Sequence, residues 1–183
     1  ESWLAENSMR QLVDVRELRR VSGIDASFLA VLLEEQERRG LITLESGGMI
    51  RPAGREIELD EETAALREKV LTDLRNARFQ PPSSADLAVA ARAEESEVLR
   101  VLDLVVDEGA VIRVGGALFI AKEPLDEARA AIVENCETNG QLEIPALRDR
   151  LGTTRKYLIP LLEYFDAQGV TLRQGGHRVL KRT

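Results

Sequence analysis

Three segments of this chain repeat one another, and the repeat constrains the fold more than any other feature. They are Gly40-Leu-Ile-Thr-Leu-Glu-Ser-Gly-Gly-Met-Ile50, Gly109-Ala-Val-Ile-Arg-Val-Gly-Gly-Ala-Leu-Phe-Ile120 and Gly169-Val-Thr-Leu-Arg-Gln-Gly-Gly-His-Arg-Val-Leu180. Each reads as a β-hairpin, because a Gly-Gly pair between two β-prone runs supplies the positive φ of a tight turn. The pattern is cleanest at Gly115-Gly116 and Gly175-Gly176. The leading glycines, Gly40, Gly109 and Gly169, read as the caps that end a helix.

Ahead of each capping glycine lies an amphipathic stretch of about four helical turns. These stretches run from Asp25 to Arg39, Glu94 to Glu108 and Thr154 to Gln168. A shorter helix precedes each, centred on Leu18, Leu87 and Leu147, and every one of these leucines stands 22 residues before its glycine. Val13 and Val15, like Leu142 and Ile144, alternate as a short first strand does. The second copy has Gln80-Pro-Pro-Ser-Ser84 instead, where two prolines lack ladder donors and Ser83 or Ser84 can cap the next helix.

Helix, short strand, helix, turn, helix and two-stranded wing is the order of the winged helix. The chain is therefore expected to be mainly α with small β-hairpins (α+β), as tandem winged-helix modules in an extended array. The expected modules are 1–55, 56–123 and 124–183. First helices are expected over Glu61 to Arg78 and Pro124 to Asn135, with only Glu1 to Met9 for the first copy. The chain opens on Glu1 rather than Met, so a fragment with an incomplete first module is expected, with Trp3 as a core or interdomain anchor.

Three copies of one scaffold act as an internal control: they bury similar cores, so differences at their exposed surfaces point to function. Winged helices meet nucleic acid mainly with the start of the third helix and the wing. At the helix start the copies read Asp25-Ala-Ser-Phe28, Glu94-Glu-Ser-Glu97 and Thr153-Thr-Arg-Lys156. Only the third is basic, against the preference of a helix N-terminus for negative charge. At the wing, Glu45-Ser-Gly-Gly-Met49 and Val114-Gly-Gly-Ala117 contrast with Arg173-Gln-Gly-Gly-His-Arg178. Residues 1–123 hold 16 Lys and Arg against 24 Asp and Glu, whereas residues 148–183 hold 8 against 3. The overall net charge of −7 argues against a chain that coats nucleic acid indiscriminately, so any such site must be local to the third copy. The candidate contact set is Arg150, Thr154, Arg155, Lys156, Arg173, Gln174, Gly175, His177 and Arg178.

Other chemistries find little support. One cysteine, Cys136, and one histidine, His177, cannot assemble a disulfide framework or a Cys/His zinc site. His177 has no nucleophile or acid in an identifiable catalytic pattern, so no catalytic residues are assigned, and Cys136 reads as a small, partly buried residue. The single cysteine suits a reducing compartment, so the cytoplasm is expected, and there is neither an apolar run long enough to span a membrane nor an export signal.

The stretch Leu151-Gly-Thr-Thr-Arg-Lys-Tyr-Leu-Ile-Pro-Leu-Leu-Glu-Tyr-Phe-Asp-Ala-Gln-Gly169 resembles the C-terminal signature of bacterial SelB proteins, the selenocysteine-specific translation elongation factors. With the wing, the likeness runs from Gly152 to Leu180. It includes Pro160 within a helix, where proline costs about 3 kcal/mol and general helix patterning would not place it. The resemblance implies a translational GTPase followed by four winged-helix modules, the last of which binds the selenocysteine insertion hairpin of the mRNA. This chain would carry the last three, as a monomer. The ribosome would be a further partner, and selenocysteinyl-tRNA, GTP and Mg would be handled by the part before Glu1. No G-x-x-x-x-G-K-[ST] loop occurs here, so neither enzyme activity nor a cofactor is expected of this chain. Arg155, Lys156, Arg173, Gln174, His177 and Arg178 stand at the family's RNA-contact positions, with Gln174, His177 and the backbone near Gly175 suited to unpaired bases. The first two modules would be spacers. The alternatives are a winged-helix DNA-binding transcription regulator and a protein-interaction scaffold. Two acidic recognition helices and the absence of a dimerisation helix weigh against the first, and the basic set against the second.

Overall fold

The structure is a computed structural model that describes residues 12–45, 47–53 and 59–181. The expected helix over Glu1 to Met9, Trp3 and the division near Arg55 lie outside those residues. By its internal contacts the chain divides into two units, Glu1–Glu61 and Glu62–Thr183. It is mainly helical with small antiparallel hairpins, and its elements follow the winged-helix order in tandem.

In the first unit the elements are β1 (Val13–Asp14), α1 (Val15–Ser22), α2 (Ala26–Arg38), β2 (Ile42–Glu45) and β3 (Met49–Pro52). The three strands pair antiparallel in the order β1-β3-β2. Val15, expected in the strand, instead opens α1, because the Asp14 carboxylate accepts from the Arg16 backbone N–H at 2.7 Å and caps the helix there. Val13, Leu29, Leu33 and Ile50 form the core.

The second unit runs α3 (Glu61–Ala77), α4 (Ser84–Ala91), α5 (Glu95–Asp107), β4 (Val111–Val114), β5 (Leu118–Ala121), α6 (Lys122–Asn139), α7 (Ile144–Leu151), α8 (Arg155–Ala167), β6 (Thr171–Gln174) and β7 (His177–Leu180). Residues 80–82 form no strand. Ser83 caps α4 in a reciprocal box with Asp86. Leu142 and Ile144 form no strand either. One bond survives from that pairing, Leu142 N–H donating to the Arg178 carbonyl at 2.7 Å, while Ile144 opens α7 with proline in the first turn, where no intrahelical donor is needed. α6 is longer than expected because β5 runs into it directly, and the 123/124 division falls in its first turn.

The three helices that lead into the wings, α2, α5 and α8, end alike. Gly40, Gly109 and Gly169 adopt φ of 69°, 74° and 70°. Their N–H groups and those of the following residues bond back to Glu37 and Gln36, Val106 and Val105, and Asp166 and Phe165. That is the Schellman pattern, which satisfies terminal carbonyls and aims the chain into the wing. The third wing differs in its tip: Gln174 pairs directly with His177, leaving a two-residue turn of Gly175 and Gly176 with φ 57° and 90°. The second wing, closed by Val114 and Leu118, has a three-residue tip.

The second and third copies share one hydrophobic core, in which Phe79, Val114 and Ile120 pack with Leu125, Leu158 and Leu161. Pro160 sits against this junction, near Gly115. Among the described residues, no helix is long and apolar enough to cross a membrane.

Candidate nucleic-acid interface

The start of α8 is built differently from its counterparts. In α2 the Asp25 carboxylate accepts from the N–H groups of Ser27 and Phe28, and in α5 Glu94 and Glu97 cap reciprocally. Thr154 occupies the equivalent place on α8 without a side-chain cap bond, and the first turn holds no acid. Arg155 and Lys156, both exposed, follow it. Two cations thus add to the positive end of the helix dipole, a placement that favours an incoming anion over helix stability.

This cationic start is held against the second copy. The Thr153 hydroxyl, itself buried, donates to the Phe79 carbonyl at 2.6 Å. The Gln80 side-chain amide donates to the Gly152 carbonyl at 2.7 Å. Lys156 lies close enough to Asp86 to be felt there: the Ser83 hydroxyl and backbone N–H hold the Asp86 carboxyl below the usual carboxylate range, and Lys156 adds a smaller pull.

The second cluster is the wing. Arg173, Gln174, Gly175 and His177 are exposed. Arg173 pairs only loosely, with Glu163 at 3.5 Å and Asp166 at 3.8 Å, so its guanidinium is available to an outside anion. Asp166 lies eleven positions after Arg155 on the helix, roughly 16 Å along the axis. The helix start and the wing base therefore mark opposite ends of α8.

Two residues of the expected set are placed differently. Arg150 forms a 2.6 Å ion pair with Glu134 of α6 and is half-exposed, and that bond holds the Glu134 carboxyl below its ordinary range. Arg178 departs further: it was expected in the RNA-contact set, but its side chain is 7% exposed and its Nε donates to Asp166 at 2.9 Å. Strand alternation is the reason, since His177 and Val179 take the neighbouring directions and Arg178 faces inward. Sequence reasoning missed Asp166, which also accepts from the Thr171 hydroxyl at 2.5 Å. The available signal was its place, three residues before Gly169, where the second copy has Val106.

Residues 134–180 match the family model for the winged helix of elongation factor SelB. The third copy is thus similar to the winged helix of SelB. The SelB likeness also extends upstream. The chain is 26% identical over 160 residues to a selenocysteine-specific elongation factor of Desulfomicrobium baculatum, covering 87% of this chain and 25% of that protein. It is 25% identical over 134 residues to the same factor of Haemophilus influenzae, covering 73% and 22%. The chain thus spans about a quarter of the length of these relatives. Among solved structures, the mRNA-binding domain of SelB from E. coli in complex with SECIS RNA aligns over its whole length and 68% of this chain, at 27% identity and a TM-score of 0.59. A bacterial selenocysteine-specific elongation factor, EF-Sec, aligns over 97% of this chain and 28% of its own at 22% identity and a TM-score of 0.51, a likeness of fold.

Proposed function

We propose that this chain is the mRNA-binding arm of a selenocysteine-specific elongation factor, and that its third module, residues 124–183, grips the selenocysteine insertion hairpin. The observation that carries this reading is the exposed cationic pair at the start of α8, with an open Arg173 on the wing of the same module. The helix starts of the other two copies are acidic, and Arg113, the second copy's counterpart of Arg173, is paired with Asp103 at 2.9 Å. The likeness to an E. coli domain solved with SECIS RNA supports the same choice of ligand.

Side chains do not enter the narrow major groove of A-form RNA, so Arg155, Lys156 and Arg173 hold stem phosphates. Gln174, His177 and the Gly175 backbone meet unpaired bases, and Thr154 adds a hydroxyl at the helix start. Arg150 contributes charge at the flank. Modules 1–55 and 56–123 are spacers toward the rest of the factor, which works in the cytoplasm with GTP, Mg, selenocysteinyl-tRNA and the ribosome.

The test is fluorescence anisotropy of the whole chain with a selenocysteine-insertion-type hairpin, a loop-scrambled hairpin and a DNA duplex across a salt series. Preferential hairpin binding is expected, with Arg155→Ala and Arg173→Ala each lowering the log–log salt slope by about 0.7–0.9. Equal binding to all three ligands would sink the reading, and preference for the duplex would favour a DNA-binding regulator.

A further inference from the structure

Register makes the three wings comparable residue by residue. Leu44 pairs with Ile50, Arg113 with Phe119 and Arg173 with Arg178. The second partner in each pair points into its module, where Ile50 and Phe119 are 4% exposed and Arg178 is 7% exposed. Two copies therefore fill this core position with a hydrophobe and the third fills it with a guanidinium. The first copy has Glu37 and Ile42 at the neighbouring places, with Glu37 accepting from the Leu44 N–H at 2.8 Å, and against the second copy the surroundings change in step. Asp166 stands where the second copy has Val106, and buried Thr171 where it has Val111.

Asp166 is the hub of the exchange. One carboxylate oxygen accepts from Thr171 on β6 at 2.5 Å and the other from Arg178 on β7 at 2.9 Å, with Arg173 at 3.8 Å. Both strands of the wing are thereby tied to one residue near the end of α8. The Nη2 amino group of Arg178 is buried with no hydrogen-bond partner among the described residues. A pair of a buried guanidinium and a partly buried carboxylate, with an orphan donor, is a poor way to stabilise a module whose siblings use apolar packing at the same place. Its advantage is direction. An apolar contact tolerates sliding and rotation, whereas a carboxylate bonded to both strands specifies one orientation of the wing.

We propose that Asp166, Thr171 and Arg178 form a partly buried polar latch that sets the orientation of the third wing, so that Arg178 is a positioning residue for RNA recognition and not a phosphate ligand. This rests on the RNA-binding reading and assigns the work of contact to Arg173, Gln174 and His177 on the face the latch presents. Rigid support of this kind keeps a recognition group from drifting by the fraction of an ångström that costs affinity.

The decisive variant moves the second copy's solution into the third: Asp166→Val, Thr171→Val and Arg178→Phe together, in the whole chain. The triple variant should unfold at the same or a higher temperature, since it removes a largely desolvated ion pair and an orphan donor. Its hairpin affinity should fall about tenfold or more with the salt slope unchanged, because no phosphate contact is lost. Asp166→Asn, nearly isosteric, is the second variant and should weaken hairpin binding in the same slope-neutral way if the triple variant does not fold. Unchanged affinity in a folded variant would overturn the latch, as would a slope reduced as far as in Arg173→Ala, which would make Arg178 a direct ligand. Failure of the unsubstituted chain to bind the hairpin would overturn the RNA-binding reading and the latch with it. Binding by the unsubstituted chain separates that failure from failure of the latch alone.

Discussion

The Thr153 hydroxyl donates a 2.6 Å hydrogen bond to the backbone carbonyl of Phe79, 74 positions earlier in the chain. With the Gln80 amide on the Gly152 carbonyl, it fastens the cationic start of α8 to the segment between α3 and α4. The start of α8 is thus referenced to the second copy as well as to its own module. Thr153→Val keeps the shape and removes the donor, leaving the carbonyl short of a buried partner. It should cost about 1–3 kcal/mol in denaturant unfolding. A midpoint equal to that of the unsubstituted chain would show that the bond does not hold the junction.

Arg92 ends α4 with φ 56°, the left-handed conformation that Gly23 and Gly152 adopt at the ends of α1 and α7. A side chain there carries a steric cost that glycine avoids, partly offset by the greater freedom of glycine in the unfolded chain. Arg92→Gly should therefore stabilise the protein by about 0.5–1 kcal/mol, read as a rise in midpoint at constant m-value. A loss of stability would mean that the arginine side chain makes a compensating contact.

The Ser83 and Asp86 box makes a prediction about acid. The Asp86 carboxyl is held below its ordinary range chiefly by Ser83. Its contribution is therefore complete at neutral pH and is lost as pH falls through the folded value, below the ordinary aspartate value of about 4. Ser83→Ala should move the Asp86 titration upward, followed by carboxyl-carbon NMR. An Asp86 that titrates at the same pH with and without the serine hydroxyl would contradict the assignment.

Cys136 is buried in the shared core, and burial pushes its thiol up from the ordinary value. It should resist a thiol-specific reagent in the folded chain at mildly alkaline pH and react fully in denaturant. Rapid labelling of the folded chain would indicate that α6 opens readily.

Much of this architecture was legible because it rests on local rules repeated three times. The ends of the helices before the wings follow from Gly40, Gly109 and Gly169, since glycine takes the left-handed turn cheaply. The hairpins follow from Gly-Gly between β-prone residues. Ser83 as a cap was visible in the same way, as was the contrast between the basic third helix start and its acidic counterparts. The strand expected around Leu142 and Ile144 was not, since alternation over so few residues competes with a proline that suits the first turn of a helix.

By itself, the sequence determined the order of elements, the places where helices stop, and which of the three surfaces carries positive charge, because caps, turns and charge act within a few residues of their cause. Tertiary structure alone decided that Arg178 turns inward while Arg173 stays open, that Asp166 joins both strands of the wing, and that Thr153 reaches Phe79. These depend on which side of a strand faces the core and on groups brought together from distant parts of the chain, a relation that neighbouring residues do not encode.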